Sequence, residues 1–206
     1  RRLSQLTQQE LSTALQLLPA DVVKQIGKRH PLLIPPFTNA TLRRAVKDYL
    51  AGGARKEDIV KKYGEINNWD VSNVTNMYRM FEDAISFNQP LNNWNVSNVT
   101  NMQSMFLDAS SFNQDISSWD VSNVTSLDEM FQSAVSFNQD LSEWDVSSAV
   151  TISGMFRFAS AFNGDISTWN VSNVSDMWHL FEGASSFEGD LSNWDVSNVV
   201  NMEAMF

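Results

Sequence analysis

The sequence predicts an α/β solenoid, an array of 25-residue strand–helix coils behind an all-α N-terminal cap. Three observations predict it. Trp69, Trp94, Trp119, Trp144, Trp169 and Trp194 recur every 25 residues, and self-similarity at a fixed period of this size marks a stacked repeat. Within each interval the apolar residues first fall two apart, as Trp94 and Val96 do, and then at i, i+3, i+4 and i+7, as Met102, Met105, Phe106 and Ala109 do. The first spacing suits an extended chain with one buried face, the second a single helix stripe. Ahead of every second stripe stands Asn76, Asn101, Ser126, Thr151, Asp176 or Asn201, each a good helix N-cap.

The N-terminal third is different material. Residues 1–37 form a helical segment and a proline-containing linker. Thr7-Gln-Gln-Glu10 is a capping box with Leu11, Ala14, Leu15 and Leu18 behind it. Pro19 opens a second short helix carrying Val22, Val23 and Ile26, and Pro31, Pro35 and Pro36 keep the stretch from His30 to Phe37 from being helical throughout. Residues 38–65 read as a helical hairpin. Thr38 caps a helix with Leu42, Ala45, Val46, Tyr49 and Leu50 inward, stopped by Gly52; the next carries Ile59, Val60 and Tyr63 and stops at Gly64. The hairpin is expected to cover the open side of the first coil, as repeat arrays require.

Residues 66–206 are the array, with five full units (66–90, 91–115, 116–140, 141–165, 166–190) and a sixth that runs to Phe206. Each unit is expected to hold one short strand and a helix of about two turns, too short to stand without its neighbours. The column Ala84, Ala109, Ala134, Ala159 and Ala184 allows close approach of adjacent elements. Phe87-Asn88 and its equivalents through Phe162-Asn163 close the coil, with Phe187-Glu188 as the one departure. Asn there can take a left-handed conformation or bond the turn backbone.

The spacing Leu91-x-x-Trp94-x-Val96 resembles the core of leucine-rich repeats, although Val99 stands where their usual Asn would be. Phe-Asn-Gln-Asp-Ile-Ser-Ser-Trp-Asp-Val-Ser-Asn-Val-Thr (112–125) is similar to the repeat of BspA-type bacterial surface proteins, and Ala45-Val-Lys-Asp-Tyr49 with Lys62-Tyr-Gly-Glu-Ile-Asn-Asn-Trp69 resembles the lead-in to such arrays. The resemblance implies a leucine-rich-repeat-like solenoid used for adhesion, assembly or protein binding, on a cell surface, secreted or on a particle, with no catalytic residues to carry over. Leu18-Pro-Ala-Asp-Val-Val-Lys-Gln-Ile26 resembles the opening of an F-box, which implies the alternative of an intracellular substrate adaptor.

Charge divides the chain. Residues 1–65 carry 12 Lys/Arg against 6 Asp/Glu, a net of +6, while residues 66–206 carry 2 against 18, a net of −16. So acidic an array disfavours nucleic acid and anionic membrane as partners and favours a basic protein. No apolar run approaches the roughly 20 residues of a membrane helix. Cysteine is absent. His30 and His179 are far apart in sequence, no nucleophile–base, phosphate-loop or zinc-ligand spacing occurs, and neither an enzyme nor a cofactor is expected.

The most chemical feature is the column Asp70, Asn95, Asp120, Asp145, Asn170 and Asp195, each followed two residues on by Ser. On coils about 4.8 Å apart it is either a recognition strip, a set of calcium-binding carboxylates, or a hydrogen-bonded ladder that ties coils together. Its uniformity favours the ladder. Calcium takes about 6–8 oxygens, which a column containing Asn supplies poorly, so no metal is expected. Variety, which recognition needs, lies at Glu143, in a column otherwise of Asn, Ser and Thr, and at Trp178, off the beat of the other tryptophans. Together with the column Asp70, Asn95, Asp120, Asp145, Asn170 and Asp195 they are the protein-binding candidates. The last unit stops at Met202, Met205 and Phe206, ahead of the columns that close a coil, so this end is expected to be covered by further chain, by another protein or by head-to-tail contact with a second copy.

Overall fold

The structure is a computed structural model and describes residues 34–206. The two helices expected before residue 30 and the F-box-like stretch Leu18–Ile26 lie outside the described residues.

Helix α1 spans Asn39–Leu50 and helix α2 Gly53–Tyr63. Thr38 caps α1 through a reciprocal pair: its hydroxyl accepts from the Thr41 N–H at 3.3 Å, and the Thr41 hydroxyl accepts from the Thr38 N–H at 2.8 Å. Leu42, Ala45, Val46 and Tyr49 are buried. Leu50, expected inward, is 38% exposed, because the helix ends at it and the chain turns away through Gly52. Ile59, Val60 and Tyr63 of α2 pack on the core from its edge.

The α/β solenoid expected from the sequence does not form. Among the described residues there are these two helices, a 3-10 turn at Ile66–Asn68, and no strand. The likeness to leucine-rich repeats falls with it, since the strand that defines their coil is missing. Neither expected element of the repeat exists; each coil is a chain of tight turns. In the second coil Trp94 N–H bonds the Leu91 carbonyl, Val99 that of Val96, Met105 that of Met102, Ala109 that of Phe106 and Phe112 that of Ala109, all at 2.8 to 3.1 Å. Both ends of each turn are apolar and buried. An i, i+3 turn thus produces the same spacing of buried residues as a helix stripe, and the Trp94–Val96 alternation is only the corner between two turns.

The backbone shows why no helix runs through Met102–Ala109. Ser104 has φ 55° and Asp108 φ 58°, left-handed conformations that break a right-handed helix. The same two columns are left-handed along the array, at Arg79, Asp83, Glu129, Ser133, Phe158 and His179 among others. Along this segment every second peptide faces the next coil. Met77, Arg79, Phe81 and Asp83 donate to the carbonyls of Asn101, Gln103, Met105 and Leu107 at 2.8 to 3.0 Å, and the next junctions repeat the pattern. Parallel bridges run Asn76, Asn101, Ser126, Thr151, Asp176, Asn201. That column was expected to cap helices; at Asn76, Asn101, Asp176 and Asn201 its side chain instead accepts from the N–H two residues on, capping a turn.

Between the turns runs an aromatic spine. Phe81, Phe106, Phe131, Phe156 and Phe181 stack coil on coil with centroids 5.4 to 5.8 Å apart, and Phe112 lies 3.9 Å from Phe106 within its own coil. Trp94, Trp119, Trp144, Trp169 and Trp194 each donate the indole N–H to a carbonyl of the preceding coil, as Trp119 does to Leu91 at 3.0 Å. The hairpin meets the first coil with the same chemistry. Phe37, Tyr49 and Tyr63 surround Trp69 at 5.1, 5.7 and 6.1 Å, and the Trp69 indole bonds the carbonyl of Gly64. The Asn39 side chain accepts from the N–H groups of Thr75 and Asn76, which have no earlier coil to bond.

Candidate functional site

The acidic column does not tie coil to coil. Asp120 accepts from the Ser122 N–H at 3.1 Å and the Ser122 hydroxyl at 2.6 Å, and Asp70 and Asn95 do the same with Ser72 and Ser97. Asp145, Asn170 and Asp195 accept from the N–H of Ser147, Ser172 and Ser197. Each side chain closes a turn in its own coil, which is why Asp and Asn interchange there. The ladder expected of this column is supplied by others. Asn98, Asn123, Asn173 and Asn198 donate across the junction to the carbonyls of Ser72, Ser97, Ser147 and Ser172. Asn88, Asn113, Asn138 and Asn163 accept from the backbone N–H one period on.

Sequence reasoning missed a second acidic column, Asp115, Asp140, Asp165 and Asp190, which accepts from Ser117, Ser142, Ser167 and Ser192 in the same way. The signal was present: Asp-x-Ser stands both before and after the tryptophan at Trp119, Trp144 and Trp194, and before it at Trp169. Backbone and hydroxyl donors hold Asp115, Asp165 and Asp190 below the ordinary carboxylate range. At Asp145 and Asp195 the serine hydroxyl leads and the backbone follows. The turns thus fix these carboxylates as anions on an exposed face.

Of the residues expected to bind, the structure brings Asp120, Glu143 and Asp145 together on a shallow groove of about 420 Å³, lined also by Ser117, Ser118, Trp119 and Val121. Asn95, Asn170 and Asp195 continue the row as exposed side chains, and Asp70 is half-buried at its start. Trp178 does not line the groove. It stands next to the left-handed His179 and is 37% exposed, with its N–H on Asp176 Oδ1 and its ring edge-on to His179 at 3.9 Å. Among the described residues no three His, Asp or Glu side chains converge as a metal site, and no helix is long and apolar enough to cross a membrane.

One carboxylate is unlike the rest. Asp128 reaches from the third coil to the fourth, accepting from the Ser153 N–H at 2.9 Å and from the Thr151 hydroxyl, while Ser126 bonds its other oxygen. Thr151 lacks the Asx side chain that caps this turn elsewhere, and Asp128 supplies the acceptor from the coil before. Burial pushes its carboxyl above the ordinary range despite these donors, and the charge of Asp176 adds to the rise.

The family model described as "Mycoplasma protein of unknown function, DUF285" matches residues 55–159 and 126–206 of the chain. It supports a repeat family at that coarse level and does not single out the BspA-type repeat. No curated protein and no solved structure matches the chain.

Proposed function

The chain belongs to the family described as "Mycoplasma protein of unknown function, DUF285", and from that premise we propose that it is a non-enzymatic surface-type repeat module whose extended acidic face binds a basic protein partner. One observation carries the reading: the turn chemistry that builds each coil also presents two rows of exposed carboxylates, of which Asp115, Asp145, Asp165, Asp190 and Asp195 are held ionised by their own serines. A repeated field of one sign steers and orients an oppositely charged partner over a long surface. With 18 acidic and 2 basic residues in the array, nucleic acid is repelled. The groove at Asp120, Glu143 and Asp145 is where the first row gains the additional carboxylate of Glu143.

The test is capture of partners from intact cells by cross-linking, with the full chain and with its D120N/E143Q/D145N variant. Asn already holds the first of these turns at Asn95 and Asn170, so the fold is retained. A basic protein captured by the native chain, released by salt and lost in the variant supports the reading. Equal capture by both, or an acidic partner, overturns it.

A further inference from the structure

Departures from the repeat gather at one place. Most columns of the array hold small polar residues on the outside, but the fourth and fifth coils put Arg157, Phe158, Trp178 and His179 side by side. Arg157 is one of two cationic residues between 66 and 206. Its Nε bonds Glu182 Oε2 at 2.7 Å, and its guanidinium lies 4.8 Å from the Phe158 ring and 5.9 Å from that of Trp178. His179 Nδ1 pairs with the same Glu182 oxygen. Partial desolvation pushes the Glu182 carboxyl up, but the hydrogen bond and charge of Arg157, with those of His179, outweigh it and hold the group ionised.

Coil building does not require this cluster. Phe158 sits at φ 56° in a column that elsewhere holds Asp83, Asp108, Ser133 and Gly183, residues suited to a left-handed backbone, and it is 42% exposed. A bulky residue there is strained, and a ring left 42% exposed offsets only part of that strain by burial. Its neighbour one coil on is glycine, and a side chain at Gly183 would collide with the Phe158 ring. Trp178 likewise occupies a column that elsewhere holds Tyr78, Gln103, Asp128, Ser153 and Glu203. Two half-exposed rings braced by an arginine that is itself fixed by a carboxylate have the anatomy of an interface anchor.

The geometry points to an anchor for a protein segment that places one aromatic or aliphatic side chain on the Phe158 and Trp178 rings and flanks it with lysine or arginine. The apolar residue matches the rings, and the basic flanks match an array of net charge −16 whose nearest cation is already bonded to Glu182. The inference rests on the basic-partner reading and adds to it the residue that sets register and specificity.

The probe is a labelled peptide of alternating lysine and alanine with one central tryptophan, compared by fluorescence anisotropy with the same peptide bearing central alanine. The variants are F158S and W178Q, combined; Ser133 and Gln103 hold those columns in other coils, so the changes restore the repeat. The native chain is expected to bind the tryptophan peptide about tenfold more tightly than the alanine one, and the double variant to bind both equally and weakly. Equal binding of the two peptides by the native chain, or a preference that survives in the double variant, overturns the anchor while leaving the basic-partner reading standing. Binding of neither peptide overturns both. Retention of a neutral polysaccharide by the native chain, lost in the variant, assigns the rings to carbohydrate and overturns the anchor as stated. A thermal midpoint in the double variant no lower than native is the control for folding.

Discussion

Single residues in this array do one of two jobs, and substitution separates them. Trp119 is 2% exposed, stacks on Trp144 at 6.5 Å and donates to the carbonyl of Leu91. Trp119→Ala is expected to cost about 3–5 kcal/mol in denaturant unfolding, because the ring's burial is lost and stacked coils on both sides limit collapse of the cavity. Trp178→Gln should change stability by less than about 1 kcal/mol, since it restores a residue that the column already carries. Asp128 gives a pH-dependent case. Its folded carboxyl is raised, so the folded chain holds the proton more tightly than the unfolded one. Its contribution is therefore fully present below the ordinary carboxylate range and is lost as pH rises through the raised value. Asp128→Asn keeps the acceptor for Ser153 and removes the buried charge. The variant should be more stable than the native chain at neutral pH, by a margin that shrinks toward acid; denaturant midpoints measured at both ends of that range check the sign.

The coil is an element without strand or helix, and its hydrogen bonds account for that. Turns satisfy part of the backbone within the coil, and along the segment that carries the two left-handed columns every second N–H bonds the next coil. A β-branched residue at a left-handed position discriminates this backbone from a helix. Asp108→Val, at φ 58° on the exposed side, is expected to destabilise by about 1–2 kcal/mol, whereas Asp108→Gly should be tolerated. In a helix the order would reverse, with valine ahead of glycine by a few tenths of a kcal/mol. Thermal unfolding of the two variants decides between them.

At the scale of the whole molecule, the stack joins coils through backbone bonds and aromatic columns and through two asparagine ladders, one of them interrupted at Ser148, so neighbouring coils support one another. The acidic face opposes this through repulsion between like charges on successive coils. Raising salt is therefore expected to raise the melting temperature, since screening relieves repulsion among exposed carboxylates. Millimolar calcium should do no more than an equal ionic strength of monovalent salt, because the carboxylates of the two Asp-x-Ser rows are turned into their own Asx turns and no three converge among the described residues. A calcium-specific rise reversed by chelator would show that carboxylates of adjacent coils share an ion.

The 25-residue period, the buried identity of the tryptophan, methionine and phenylalanine columns, the hairpin of Thr38 to Gly64 and the acidic character of one face were all determined by sequence alone, because each follows from residue type at a fixed spacing. The backbone path was not. An i, i+3 turn and an α-helix bury the same positions, so Met102, Met105, Phe106 and Ala109 fit either, and the hand of the residues between them decides. Ser104, Glu129 and His179 carry no local sign that they are left-handed; stacking imposes it, by giving every second peptide a carbonyl on the next coil. The acidic column was legible as residues and not as geometry for the same reason. Asp-x-Ser permits a turn within one coil or a ladder between two, and only the tertiary structure, in which Asn123 and Asn113 already occupy the junction, confines Asp120 to its own serine.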